Sequence, residues 1–410
     1  MVDPAPSPIV LREYVERDIP LDTATARALA SNKSAAISVT PSEIGWRIRP
    51  SQFIGVTEAN GQQFVIQPKI PMENALIVLG ASAKSIEWSR DTFDYQQTTS
   101  LLAAMVMVFR RGLDFALARG LRHDYRAEQD RLQSIRGRID IAEVVRRPGS
   151  AIPIPCRFDE YTTDNRLNRL LLAGISRSLR VPGVPREDKI RLRHHLASFE
   201  GVGEHDLRDR WSLQWTPTRL DRHYEAAVRP ADLIVHGDSV ADRVGSSRGT
   251  TFLVDMNKAV ENFITARISH HLHGRLDVLP QAKTSLDIEG RKTIYPDLVF
   301  KKDGQVAFVA DIKYKDVRDI ADASSDDLYQ LNTYALTYGL KRAALITCPS
   351  HPGPDIAGPI TLTNTGIELH VIQIDLSGAP SQIEESFAKA ADLIEKLSLP
   401  ESQIVRLLSA

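Results

Sequence analysis

The stretch YPDLVFKKDGQVAFVADIKYK, residues 295–315, holds Asp297, Asp311 and Lys313 in an otherwise apolar run. Asp303-Gly304 is a tight-turn dipeptide between two apolar segments, so the stretch should fold as a β-hairpin. Residues two apart share one face of a strand. Val306, Phe308, Ala310, Ile312 and Tyr314 then form one apolar face, and Gln305, Ala307, Val309, Asp311 and Lys313 form the other. Asp311 and Lys313 project together. Asp297 follows Pro296, which suits a strand start, and the short turn brings it toward Asp311 across the ladder. Two carboxylates held close repel each other unless positive charge sits between them. A divalent cation supplies it: Mg²⁺ takes one or two carboxylates and completes its shell with waters and phosphate oxygens. Such an ion lowers the pKa of a water and neutralises charge at phosphorus, and a neighbouring lysine stabilises developing charge or orients the attacking water. The set suits phosphodiester hydrolysis. Taken alone, the hairpin reads equally well as a solvated strand face with one Asp–Lys ion pair.

The flanking segments must position these groups. In LVDMNKAVENFITARI (253–268), Met256, Val260, Phe263, Ile264 and Ile268 fall at helical spacing, with Glu261 at the edge of that stripe. In DDLYQLNTYAL (326–336), Gln330 and Tyr334 are four apart and share a helix face; Asp326 or Asp327 suits the start of that helix. A glutamate before the hairpin and a Gln-x-x-x-Tyr after it make an ordered set.

The rest of the chain is read around this set. Its 410 residues, 42% hydrophobic and 25% charged, indicate a globular protein of two or three domains. Residues 1–8 are expected to be disordered. From about 9 to 75 short alternating apolar runs indicate strands, with Asn60-Gly61 as a hairpin turn. A helical period is expected from about 97 to 128, a short β element over 132–141, a linker over 148–155, and a helix over 160–180 capped by Thr162 or Thr163. A charged helical segment follows over 185–200, and 240–250 reads as a loop. After the hairpin come a helix (about 325–340), strands (342–348 and 360–375) and a C-terminal helix (381–398). The expected class is α/β, or α+β overall. The expected domains are an N-terminal β-rich and helical module over 1–155, a helical connection over 156–245, and a C-terminal domain over 246–410 with a central mixed sheet flanked by helices.

Several function classes lose support. The run LLAAMVMVFRRGLDFALA (101–118) is broken by Arg110, Arg111 and Asp114, so it reads as a buried helix and no membrane span is expected. Cys156 and Cys348 form no metal or disulfide framework, and no signal peptide is apparent; the expected location is the cytoplasm. No P-loop is present: the nearest string, SNKSAA (31–36), lacks both glycines, so no bound nucleotide cofactor is expected. No G-x-S-x-G or Cys–His pairing supports acyl transfer. His270, His271 and His273 read as a polar helix end rather than metal ligands. Trp46, Trp88, Trp211 and Trp215 have no basic residues interleaved as a single-strand stacking platform needs, so packing is their default role. The net charge is −1, so any basic surface is local. Arg119, Arg122, Arg126, Arg131, Arg136, Arg138, Arg146 and Arg147 crowd one segment among five acids, either as an ion-paired helix face or as a phosphate track.

The ordered set of Glu261, Pro296-Asp297, Asp311-Ile312-Lys313 and the following helix resembles the PD-(D/E)xK nuclease superfamily, and Gln330…Tyr334 is similar to its RecB-like members. The strings FVIQPKIP (64–71), ARGLRHDY (118–125), LQSIRGRID (132–140), FDEYTTDNRLNRLLL (158–172), LVDMNKAVENFI (253–264), YPDLVF (295–300), DIKYK (311–315) and DLYQLNTYA (327–335) resemble the McrC family, the nuclease subunits of McrBC modification-dependent restriction systems. The resemblance implies a C-terminal PD-(D/E)xK endonuclease domain acting on double-stranded DNA with modified cytosine. It also implies an AAA+ GTPase hexamer of the McrB type as partner, docked and stimulated through the N-terminal region. Carried over by position, Asp297 and Asp311 would bind Mg²⁺ or Mn²⁺ and Lys313 would be catalytic. Glu261 would be a metal or water ligand, and Gln330 and Tyr334 would support the site or contact DNA. The alternatives are a RecB-like nuclease acting alone or with a helicase, and a non-catalytic activator of an NTPase.

Overall fold

The computed structural model describes residues 7–32, 36–80, 101–146, 152–181, 183–209, 211–215, 217–219, 221–236, 252–350 and 353–399. Residues 1–6, Trp88, residues 33–35 of SNKSAA, Arg147 and the expected loop over 240–250 lie outside them. Contacts divide the chain into two compact units, one of residues 1–81 with 240–410 and one of residues 82–239. This partition differs from the three consecutive segments drawn from sequence, because the strand just before the 256–271 helix pairs with a strand of the N-terminal segment.

The first unit begins with β1 (Ile9–Arg12), β2 (Arg17–Ile19), α1 (Thr23–Ser31), β3 (Ile37–Ser42), β4 (Gly45–Pro50), β5 (Phe53–Ala59), β6 (Gln62–Gln67) and α2 (Met72–Gly80). Asn60 and Gly61 take φ of 50° and 79°, the left-handed pair that a two-residue hairpin turn needs, and β5 and β6 run antiparallel across them. β2, β4 and β3 form a small antiparallel sheet. Leu11, Leu29, Ile48, Phe64 and Ile66 pack between the two sheets and α1.

The second unit contains α3 (Leu101–Leu117), β7 (Asp124–Leu132), β8 (Arg138–Ile139), α4 (Ile141–Arg146), β9 (Ile154–Thr162), α5 (Arg166–Ser178), α6 (Arg186–Leu196) and α7 (Glu225–His236). α3 is buried as expected: Leu101, Met105, Phe109, Leu113 and Ala116 are enclosed. Among the described residues no helix is long and apolar enough to cross a membrane. Gly112 lets α3 lie against α7, since a Cβ there would meet the Ala226 carbonyl oxygen at 2.1 Å. The helical period expected to run to 128 stops at Leu117, and residues 124–132 form a strand instead. β7 pairs with β9 over nine residues, from Asp124↔Thr162 to Leu132↔Ile154. That pairing overrides the local charge pattern, which reads as a helix. For the same reason the cap of α5 is Asn165 rather than Thr162 or Thr163: β9 runs through Thr162, and the Asn165 side chain accepts from the Asn168 N–H.

The first unit resumes with β10 (Phe252–Asp255), α8 (Met256–His271), β11 (Asp277–Pro280), β12 (Thr284–Ser285), β13 (Thr293–Ile294), β14 (Leu298–Lys302), β15 (Gln305–Lys313), α9 (Ser325–Thr337), β16 (Arg342–Thr347), β17 (Ile356–Thr361), β18 (Glu368–Gln373) and α10 (Pro380–Leu397). β10 completes the sheet of β1, β6 and β5 by pairing antiparallel with β5. The remaining long strands form a six-stranded mixed sheet in the order β11-β14-β15-β16-β18-β17, with β15, β16 and β18 parallel. The chain is thus mixed α/β. α9 covers one face of this sheet: Leu331 and Ala335 pack on Val299, Val309, Leu345 and Val371. α8 packs against α10 through Phe263 and Phe387, whose rings meet edge to face at 5.3 Å. Both faces of β15 are covered, not just the apolar one, because α9 lies over the side that carries Asp311.

Candidate active site

The β14–β15 hairpin turns at Asp303 and Gly304, with φ of 50° and 79°. Leu298 pairs with Ala310, so Asp297, one residue before, falls opposite Asp311. The Asp297 Oδ2 accepts the Ile312 backbone N–H at 2.9 Å, which locks the carboxylate over β15. Asp311 is 1% exposed. Lys313, next along the same face, places Nζ 2.8 Å from Asp311 Oδ2, yet neither Asp311 oxygen accepts a well-directed hydrogen bond. Burial, and then the charge of Asp297, push the Asp311 carboxyl well above the ordinary aspartate range. Burial opposes the charge on Lys313 most, but Asp311, Asp327 and Asp297 together outweigh it and raise the lysine pKa.

Glu261 reaches the same place from α8. The helix starts at Asp255, whose side chain accepts the Asn257 and Lys258 N–H groups, and the buried stripe is Met256, Val260, Phe263, Ile264 and Ile268. Glu261 sits at its edge. Burial first, then Asp297, raise its pKa. The link is Gln281, which follows β11: its Nε2 donates to Glu261 Oε1 at 2.7 Å and to Asp297 Oδ1 at 2.8 Å. Gln281 has φ of 47°, a left-handed conformation that a non-glycine residue adopts only when its surroundings hold it there. Sequence reasoning missed this residue. A lone glutamine in a loop has no periodic signal, and only its backbone strain and its two carboxylate partners reveal it.

α9 supplies the third side. Lys313 Nζ lies 3.3 Å from Gln330 Oε1, Gln330 Nε2 donates to the Tyr334 hydroxyl at 2.7 Å, and that hydroxyl donates to the Tyr295 carbonyl at 3.3 Å. The Gln-x-x-x-Tyr pair therefore ties the lysine to the backbone two residues before Asp297. Ser324 caps α9, and buried Asp327 accepts from Ser324 Oγ at 2.6 Å and from Lys315 Nζ at 2.8 Å. Asp327 also lies 3.9 Å from Lys313 Nζ, so it adds a second negative group behind the lysine.

All six residues singled out from the sequence, Glu261, Asp297, Asp311, Lys313, Gln330 and Tyr334, are brought into this connected group. The geometry departs from a closed carboxylate cage, because the Gln281 amide lies between Glu261 and Asp297. Among the described residues no group of three or more His, Cys, Asp or Glu side chains could hold a metal ion unaided. The donors nevertheless fit a hard cation that uses two carboxylates and water: Asp297 and Asp311 face each other, and the buried Asp311 oxygens have no directed donor. His271 contacts Glu384 at 3.3 Å and stacks on Phe387, as suits a helix end.

Comparison with known proteins supports a single family. A family model described as "McrBC 5-methylcytosine restriction system component" matches residues 48–347. No curated protein matches the chain. A chain from a Thermococcus gammatolerans assembly, described as a refined half-complex from a tetradecameric assembly of McrB AAA+ hexamers with bound McrC, aligns with a TM-score of 0.59 and 19% identity. That alignment covers 95% of this chain and 100% of the other. A second chain, from the cryo-EM structure of the Thermococcus gammatolerans McrBC complex, aligns with a TM-score of 0.43 and 20% identity over 65% of this chain and 88% of the other. The family match spans most of the sequence and includes Glu261, Asp297, Asp311, Lys313, Gln330 and Tyr334, and the chain belongs to the McrBC family of 5-methylcytosine restriction system components.

Proposed function

We propose that the chain is the McrC-type nuclease subunit of a McrBC-like restriction complex. It would be a Mg²⁺-dependent DNA endonuclease that cleaves phosphodiesters in DNA with modified cytosine, and a partner and activator of an McrB-type AAA+ GTPase hexamer. The observation that carries the reading is the register of the β14–β15 hairpin, which sets Asp297 opposite Asp311 with Lys313 beside them. This arrangement supports reading the group as a PD-(D/E)xK site. Asp297 and Asp311 would hold the cation, with Glu261 reaching it directly or through water. When bound, the ion supplies positive charge at the scissile phosphate and makes a water more acidic.

The chain's own groups do the rest. Lys313 presents an ammonium kept charged by Asp311, Asp327 and Asp297 together, in position to hold the attacking water or to meet charge developing on the phosphate. Gln330, held by Tyr334, helps fix the lysine's direction. Gln281 orients the carboxylates of Glu261 and Asp297. The Thermococcus gammatolerans assembly supports the partner, and the absence of a P-loop from the sequence fits a subunit whose nucleotide hydrolysis occurs elsewhere.

The test is Asp311→Asn, assayed with the partner GTPase, nucleotide, Mg²⁺ and methylated DNA. Cleavage is expected to disappear while complex formation and GTPase stimulation persist. Cleavage at the wild-type rate would refute the site. Efficient cutting of unmodified DNA by the wild-type chain alone would refute the dependence on a partner.

A further inference from the structure

The unit of residues 82–239 contains an aromatic and arginine-lined surface that the hydrolytic site does not use. On the β7–β9 ribbon Tyr125 stands opposite Tyr161, their rings 5.0 Å apart, and His123 stacks on Tyr161 at 4.9 Å with 19° between the planes. These rings cover little of the protein: Tyr125 is 71% exposed and Tyr161 61%. Tyr125 also forms part of the wall of a cavity of about 410 Å³, deepened by Trp211 and Trp215, whose rings meet edge to face at 5.9 Å. The Trp211 Nε1 is buried and has no acceptor among the described residues. A cavity of this size suits a group no larger than a small ligand.

The same cavity is lined by Arg122, Arg126, Arg166 and Arg169 against Asp124 and Asp164. The acids hold each guanidinium in an ion pair, and the Arg126 and Arg166 side chains stay the most open to solvent. Asp164 takes Arg169 through both oxygens and Arg126 at 2.6 Å, Asp124 and Asp221 take Arg122, and Glu128 also meets Arg126. Arg166, at the first turn of α5, touches Asp209 at 3.3 Å and leaves its side chain 74% exposed. Along the sequence Trp211 follows Arg208 and Arg210, and folding adds arginines from two distant segments, Arg122 with Arg126 and Arg166 with Arg169. Stacking faces and guanidinium forks are the chemistry that receives an unpaired base with its phosphate.

We propose that this surface binds a segment of single-stranded nucleic acid, with bases stacked on Tyr125, Tyr161 and the Trp211–Trp215 wall and phosphates met by Arg166 and Arg126. Duplex DNA cannot use the platform in the same way, since its bases are already stacked on one another. The proposal is independent of the Asp297–Asp311 chemistry, because binding is read in EDTA, where no cleavage is expected.

The experiment uses the full chain, a short fluorescein-labelled oligodeoxythymidylate, and both anisotropy and tryptophan fluorescence. Binding should quench the tryptophans. Tyr125→Ala and Tyr161→Ala should each weaken it by about fivefold or more, the range for loss of one stacking partner. Tyr125→Phe should restore it, since the ring is what matters. Arg166→Ala should lower the slope of log K against log salt by about 0.7, as for one single-strand phosphate contact. All these side chains are exposed, so circular dichroism should match wild type. Unchanged affinity in both Tyr125→Ala and Arg166→Ala overturns the proposal. Saturation by thymidine monophosphate as tightly as by the oligonucleotide reassigns the cavity to a free nucleotide and overturns the strand assignment. Tighter binding of matched duplex overturns it too. Loss of the partner GTPase complex in these variants, with oligonucleotide binding intact, assigns the face to protein and overturns it as well.

Discussion

Glu13→Gln should flatten the pH dependence of stability of the unit that carries the candidate active site. Glu13 follows β1 and is fully enclosed. Its Oε1 accepts the Tyr314 hydroxyl at 2.7 Å and the Lys69 backbone N–H at 2.6 Å, while Oε2 has no partner. Burial raises its pKa from 4.5 to about 7, although those hydrogen bonds and the charges of Lys69 and Arg12 pull the other way. Between pH 4.5 and about 7 the unfolded chain has therefore lost this proton while the folded chain keeps it. The folded state binds more protons, so stability is fully present below 4.5 and falls as pH rises through about 7. The size of the effect is about 3 kcal/mol, at about 1.4 kcal/mol for each pH unit separating the two values. Glutamine keeps the Oε1 acceptor and cannot ionise. The donors it adds where Oε2 had no partner cost about 1–3 kcal/mol, but equally at every pH. Urea unfolding of wild type and E13Q across pH 4 to 8.5 should show the two stabilities converging or crossing as pH rises, with wild type losing about 3 kcal/mol relative to E13Q. Parallel curves would mean that Glu13 titrates alike in the folded and unfolded chain, and the burial argument would fail. Since Tyr314 follows Lys313 on the chain, the same titration would be felt at the end of the strand that carries Asp311 and Lys313.

Other expectations concern the site and its support. Gln281→Ala should raise the Mg²⁺ concentration needed for cleavage by about 10–100-fold, the usual cost of removing an orienting partner of metal ligands, with activity largely recovered at saturating Mg²⁺; an unchanged Mg²⁺ titration would exclude Gln281 from the site. Leu331→Ala, at a fully buried position where α9 covers the sheet, should cost about 2–5 kcal/mol in denaturant unfolding. A loss of under about 0.5 kcal/mol, the size expected for surface changes, would contradict the packing described for α9.

Much of the site was legible in the sequence because it rests on local periodicity. A strand shows its two faces to any reader who counts by two, and Asp303-Gly304 names the turn that sets the register. Asp297, Asp311 and Lys313 follow from those facts. The α8 stripe follows from helical spacing, and the edge position of Glu261 with it. The tertiary structure decided what no local pattern encodes. Gln281 joins Glu261 and Asp297 from a loop whose partners are 20 and 16 residues away, and only the closed fold defines those distances. The strand at 124–132 reads as a charged helix until β9 pairs with it, because backbone hydrogen bonds to a distant partner outweigh weak local preference. The burial of Asp311 depends on α9, which arrives after the hairpin, so its raised pKa belongs to the packed state and not to the string DIKYK. Trp211 and Trp215 likewise read as packing residues in line, and share a cavity wall with Arg122, Arg126, Arg166 and Arg169 only when α5 and the β7–β9 ribbon converge. Periodicity sets which residues share a face; the contacts between elements set the field in which those residues ionise, bind and react.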